Sequence, residues 1–171
     1  MKPRSSLLIL LFFVIYIAGC SNHSFNDLDD NGKIAKSHLE EKGYDVLSYQ
    51  GKSTLSFSTS DLSVHHHMQL WSVQSIQPDH IIDKKIEVET FYVKDHPLEN
   101  EYKSENYFLG KVGVNVWVYD GKSIGGISYP VIKKNTGLAG APYSLDGRTT
   151  DEVQGDYDTW SREWLEKYEY H

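Results

Sequence analysis

Residues 111–130, KVGVNVWVYDGKSIGGISYP, constrain the fold more than any other part of this chain. Val112, Val114, Val116 and Val118 recur at every second position, which lines four β-branched side chains along one face of an extended segment. Asp120-Gly121 follows, a pair suited to the two-residue type I′ turn because both of its positions need positive φ. The stretch therefore reads as a β-hairpin. Counting back from the turn sets Trp117 opposite Ile124 and Val116 opposite Gly125, so that the aromatic ring and the glycines fill each other's space, and Pro130 ends the second strand.

A hairpin alone is marginal, and the flanking sequence supplies its partners. In KIEVETFYVKDH, Ile86, Val88, Thr90 and Tyr92 share one face while Glu87, Glu89, Phe91 and Val93 share the other, as in a long strand. YDVLSYQGKSTLSFS alternates on both sides of Gly51-Lys52 and reads as a second hairpin, with Val46 and Leu55 among its inward side chains.

Helices flank these strands. Ile34, Ala35, His38 and Leu39 recur at helical spacing and Gly43 stops the run, which puts Leu39 and Tyr44 at the two positions that touch in a Schellman ending. Tyr157, Trp160, Trp164, Leu165 and Tyr168 form the stripe of a closing amphipathic helix. In TSDLSVHHHMQLWSVQS we expect a helix from about Asp61, passing into a strand near Trp71. NTGLAGAPYSLDGRTT reads as an ordered surface loop, after which Thr149-x-x-Glu152 caps a brief helical turn. The expected class is α+β: an antiparallel β-sheet with an N-terminal helix and a C-terminal amphipathic helix packed on it, in a single globular domain over residues 31–171.

The start of the chain carries an address rather than a fold. Lys2 and Arg4 precede an apolar run from Leu7 to Tyr16, and Ile17-Ala18-Gly19-Cys20 follows directly. Leu7 to Ala18 is far short of the roughly 20 apolar residues needed to cross a bilayer. The four-residue ending resembles the lipobox of bacterial lipoproteins. That resemblance implies a signal peptide over residues 1–19, cleavage before Cys20, lipidation of the Cys20 sulfur and acylation of the new amino terminus. The polar residues 20–30 then read as a tether.

Cys20 is the only cysteine, so the secreted domain has no internal disulfide and rests on its apolar core. Once Lys2 and Arg4 leave with the leader, the formal charge moves from −7 to −9. Such a balance argues against nucleic acid or an anionic bilayer as a partner, leaving acyl chains to hold the protein on the membrane. The expected location is the outer, extracytoplasmic face of the cell membrane, and the expected partner an envelope protein or cell-wall component. The segments GYDVLSYQG, LWSVQS, FYVKDHPLE, IGGISYP and YSLDGRT make the region from Gly43 onward similar to small lipoproteins of Gram-positive bacteria. Those have no assigned activity, so this likeness implies a surface domain and supplies no site.

Three constellations invite chemistry. Asp27, Asp29, Asn31, Gly32 and Ile34 match positions 1, 3, 5, 6 and 8 of an EF-hand-type loop, but position 12, which needs a bidentate Glu, is His38. The entering helix is missing as well. The acids read instead as a cap on the following helix, and no calcium ligand is expected there. In His65-His66-His67, an extended backbone would aim His65 and His67 to one side as metal ligands, with His80 or His96 arriving from elsewhere, whereas a helix would fan the three apart. Trp71, Trp117, Trp160 and Trp164, with twelve tyrosines, invite a carbohydrate reading, although the spacing of Trp160 and Trp164 belongs to a buried helix face.

The chain has no G-x-S-x-G, no H-E-x-x-H, no P-loop and no dinucleotide fingerprint, and Asp146-Gly147 and Glu152 are accounted for by a turn and a cap. The expected function is thus a non-enzymatic, membrane-anchored binding domain without a cofactor. Two alternatives stand beside it: a metal-ion or small-solute binder using His65, His67 and His96, and a cell-wall hydrolase.

Overall fold

The structure, a computed structural model, describes residues 24–134 and 140–169; the expected signal peptide, the lipobox with Cys20 and residues 135–139 of the Gly-rich loop lie outside the described residues. In chain order the elements are α1 (Asp30–Glu41), β1 (Asp45–Leu55), α2 (His65–Trp71), β2 (Ile86–Lys94), α3 (Leu98–Tyr102), β3 (Phe108–Tyr119), β4 (Lys122–Ile132), β5 (Tyr143–Ser144), α4 (Thr150–Gln154) and α5 (Tyr157–Tyr168). The strands form one antiparallel sheet in the order β1-β2-β3-β4-β5, and the class is α+β.

The hairpin forms as expected at its turn, with Asp120 at φ 49° and Gly121 at φ 67°. Its register differs by one residue from the count. Trp117 faces Gly125 and Val116 faces Gly126, because the returning strand carries an extra residue, Ile124, between Gly125 and Ser123. β4 also continues through Pro130, which the sheet tolerates because β5 bonds only Ile127 and Ser128 and leaves the rest of β4 as an edge.

Two expectations fail, the first because alternation does not show where a chain turns. Gly51-Lys52 is not a hairpin: β1 runs straight through it, with both halves paired to β2. Register shifts between Val46 and Ser48 and between Tyr49 and Gly51, the latter with Gly51 at φ 107°, imitate a change of strand. As a result Val46 packs on one face of the sheet and Leu55 on the other. The segment after β1 forms a short 3-10 turn, Thr59–Ser63, closed by the Ser58–Asp61 capping box, and then α2; no strand follows at Trp71. Met68 and Trp71, three apart, are its buried face.

β2 is buried on both sides because each face of the sheet meets its own core. On one, α1 lays Ala35 and Leu39 against Phe91, Val93 and the valine row of β3. α1 ends in the Schellman geometry, with Tyr44 N–H bonded to Leu39 C=O at 3.1 Å and Gly43 N–H to Glu40 C=O at 2.9 Å. On the other face, Trp160, Trp164 and Tyr168 of α5 pack with Trp71 and Phe57 over Trp117, Ile86 and Val88. The two terminal helices thus cover opposite faces. Each fully buried large apolar side chain here contributes roughly 1.5–3 kcal/mol relative to exposure. The domain also starts earlier than residue 31: Leu28 is buried in the first core, and Ser24 caps a 3-10 turn at Phe25–Asp27.

Candidate functional site

The edge of β4 beyond β5 builds a cleft. Tyr129 to Ile132 form its floor; Tyr102 enters from the end of α3, Tyr107 from the loop before β3, and Tyr143 from β5, while Thr149 to Asp151 close it with the first turn of α4. The cavity measures about 710 Å³. Local sequence explains each wall. Leu98 is fully buried and anchors α3, so Tyr102 at its end is held at the rim. The Thr149–Glu152 capping box forms as expected, with Glu152 N–H bonded to Thr149 Oγ1 at 3.4 Å and Thr149 N–H to Glu152 Oε2 at 2.7 Å, and it fixes the first turn of α4.

The tyrosines hold one another in place. The Tyr102 and Tyr143 hydroxyls are 2.8 Å apart with their rings nearly perpendicular at 88°. Tyr129 lies over Gly113, where an added Cβ would come within 2.4 Å of the ring. Burial pushes the Tyr143 and Tyr129 hydroxyls above their ordinary range, in Tyr143 helped by the bond to Tyr102. They therefore remain neutral at physiological pH and act as hydrogen-bonding groups. Asp151 is the one carboxylate among the described lining residues. Flat aromatic faces, neutral hydroxyls and a single acid at the rim suit a ligand with both apolar faces and hydroxyl or amide groups.

Among the described residues no converging group of three potential metal ligands includes His65, His67 or His96. α2 is helical from His65, which brings the His66 and His67 rings to 3.9 Å between centroids, while His67 places Nδ1 3.0 Å from the Asp61 carbonyl and its ring edge-on to Phe57. His96 is buried at 1% exposure, with Nε2 3.1 Å from the Leu145 carbonyl and Nδ1 accepting the Leu98 N–H at 3.2 Å. Both of its ring nitrogens are spent on the backbone. The four tryptophans are core residues at 1% to 8% exposure and offer no outward platform. Asp146 pairs with Lys42 at 2.7 Å while Glu152 caps α4, so the two have separate duties. Asp27 closes the Ser24 capping box, and Asp29 caps α1 by accepting the Gly32 N–H at 2.9 Å, as the capping reading required.

What sequence reasoning missed is the tyrosine cleft. Tyr102, Tyr107, Tyr129 and Tyr143 come from four separate segments, and the only trace of them in the chain was an excess of tyrosine. Comparison of this chain with protein-family models, with curated proteins and with solved structures returns no match.

Proposed function

We propose that this chain is a lipid-anchored extracytoplasmic domain, held through Cys20 on the outer face of the cell membrane, which binds an envelope protein or cell-wall polymer without transforming it. The observation that carries the binding part is the tyrosine cleft, whose volume falls in the range of about 300–1,000 Å³ typical of ligand sites. Tyrosine presents a large, stiff, amphipathic surface and loses little side-chain entropy when a ligand settles on it. That Asp151 is the one carboxylate among the described lining residues favours binding over glycoside hydrolysis, which commonly needs two carboxylates astride the bond. The anchor part rests on the leader and lipobox of the sequence.

The binding reading is tested by placing a photo-crosslinking amino acid at Tyr107 in intact cells, with the same group at exposed Glu163 of α5 as control. A discrete adduct formed from position 107 and absent from position 163 is the expected result. Equal capture from both positions, or none from 107, sinks the cleft as a binding site. For the anchor, Cys20→Ser is expected to leave the membrane fraction or to accumulate unprocessed; a processed Cys20→Ser protein still on the membrane overturns that part.

A further inference from the structure

On the opposite face of the sheet from the tryptophans, three carboxylates converge beneath the start of α1. One oxygen each from Asp29, Glu87 and Glu89 lies within 4.8 Å of the other two. Asp29 comes from the N-cap of α1, and Glu87 and Glu89 are alternate residues of β2 on the α1 side of the sheet. Gly32 allows this approach: an added Cβ would meet Leu28 Cδ2 at 2.8 Å and stand 3.5 Å from Glu89 Oε2.

The existing hydrogen bonds account for most of these oxygens but not all. Asp29 Oδ1 accepts the Gly32 N–H, and Oδ2 pairs with the Lys52 ammonium. Glu87 Oε2 accepts from Asn31 Nδ2 at 3.1 Å, and its Oε1 is 3.9 Å from Lys85 Nζ. Glu89 Oε2 accepts from the Tyr49 hydroxyl at 2.8 Å. Glu89 Oε1 has no hydrogen-bond partner, although the residue is 0% exposed. A buried carboxylate oxygen in that state carries a full desolvation cost with nothing to offset it. This is a second observation, distinct from the clustering of acids, and it points to a missing positive group.

We infer that Asp29, Glu87 and Glu89 form a calcium-binding site that ties the start of α1 to β2. Calcium binds oxygen at about 2.3–2.6 Å, so the oxygens of its shell stand roughly 3.3–5 Å apart, which is compatible with oxygens grouped within 4.8 Å. The donors are all oxygen, with no imidazole or thiolate among them, which selects a hard cation over zinc or copper. Calcium tolerates irregular geometry where magnesium does not. Lys52 is the competitor: its flexible, half-exposed side chain occupies Asp29 and swings away when the ion enters. The loop pattern from Asp27 to His38 has no part in this beyond Asp29 and Asn31, since the two glutamates come from a strand 56 residues on from Asn31. With three protein carboxylates and water completing the shell, affinity belongs to the weak extracellular class, with Kd on the order of 10⁻⁴–10⁻³ M.

The test titrates the full-length protein in detergent, stripped with chelator, with calcium chloride against sodium chloride of equal ionic strength. Melting temperature and calorimetric heat are followed together. The wild type is expected to gain about 3–6 °C near 10 mM calcium. Glu89→Gln and Glu87→Gln are each expected to abolish the gain and to weaken binding at least tenfold, while Lys52→Met tightens it several-fold by removing the competitor. Glu87 is only partly buried, so Glu87→Gln decides the matter if Glu89→Gln fails to fold. Absence of a calcium-specific gain in the wild type, or an undiminished gain in Glu87→Gln, overturns the site.

Discussion

Gln74 and Gly126 hold each other by two hydrogen bonds: Gln74 Oε1 accepts the Gly126 N–H at 3.0 Å, and Gln74 Nε2 donates to the Gly126 carbonyl at 3.0 Å. A side-chain amide thus takes the place of a neighbouring strand beside β4. The same Nε2 also donates to the Leu70 carbonyl at 2.8 Å, which binds the end of α2 to the sheet. Gln74→Leu leaves both Gly126 groups unpaired in a buried position, and we expect a loss of about 2–5 kcal/mol in unfolding free energy. Gly126→Ala should cost at least as much, because Gly126 sits at φ 146° and an added Cβ would fall 2.1 Å from the Asn115 carbonyl oxygen. Urea denaturation measures both. A shift below about 1 kcal/mol for Gln74→Leu would show that water replaces the amide.

The His96 ring predicts how stability responds to acid. Nδ1 accepts the Leu98 N–H, so the proton belongs on Nε2, facing the Leu145 carbonyl, and the ring is neutral. Burial, the largest cause, holds its pKa below the ordinary value of about 6.5. His38 moves the same way, again chiefly through burial. A lowered folded pKa means that the unfolded chain takes up the proton first, so stability falls as pH drops below about 6.5 and goes on falling until the folded ring is protonated. Glu89 acts with the opposite sign: burial raises its folded pKa, so above its ordinary carboxylate range its charge counts against the fold. Melting temperatures measured between pH 7 and pH 5.5 should therefore fall in the wild type and fall less steeply in His96→Gln. Parallel slopes would remove His96 as the cause.

What was legible in the sequence was what local chemistry decides. Asp120-Gly121 specified its own turn, Gly43 its own Schellman ending, and the Tyr157–Tyr168 stripe its own buried face, because each signal is complete within a dozen residues. Bulges were not legible. Ile124 slipped the register of the hairpin by one, and Gly51 made one strand look like two, because a bulge is stabilised by the partner strand rather than by its own residues. The cleft was not legible either, since Tyr102, Tyr107, Tyr129 and Tyr143 meet only after the sheet has ordered four segments. The alternation placed Glu87 and Glu89 on one strand face with Phe91 and Val93 without showing what covers that face. They lie under α1 because both faces of β2 are covered.

Two stacked tryptophans should respond differently to the same substitution. Trp164 donates Nε1–H to the Leu62 carbonyl at 2.8 Å, which fastens α5 to the 3-10 turn, while Trp71, its neighbour at 6.1 Å between ring centroids, buries an Nε1–H without a partner. Trp71→Phe gives up volume but also removes an unsatisfied donor. Trp164→Phe gives up similar volume together with a made hydrogen bond. We expect Trp164→Phe to destabilise by about 1–3 kcal/mol more than Trp71→Phe in guanidinium titrations. Equal losses would mean that packing alone sets the stability of this core.

The cleft can be altered from behind, which separates its shape from the chemistry of its lining. Gly113 faces Tyr129 across the β3–β4 pairing, and an added Cβ would stand 2.4 Å from two ring carbons of Tyr129 and 2.8 Å from its hydroxyl oxygen. No L side chain keeps such a distance, so Gly113→Ala must displace the Tyr129 ring, which lines the cleft. Gly113 is not itself among the cleft-lining residues. Overpacking of this kind costs about 1–3 kcal/mol, which a domain of this size survives. With circular dichroism showing that the variant is folded, crosslinking from position 107 should fall several-fold relative to the unsubstituted background. Unchanged capture in a folded Gly113→Ala protein would mean that the position of the Tyr129 ring has no bearing on what the cleft holds.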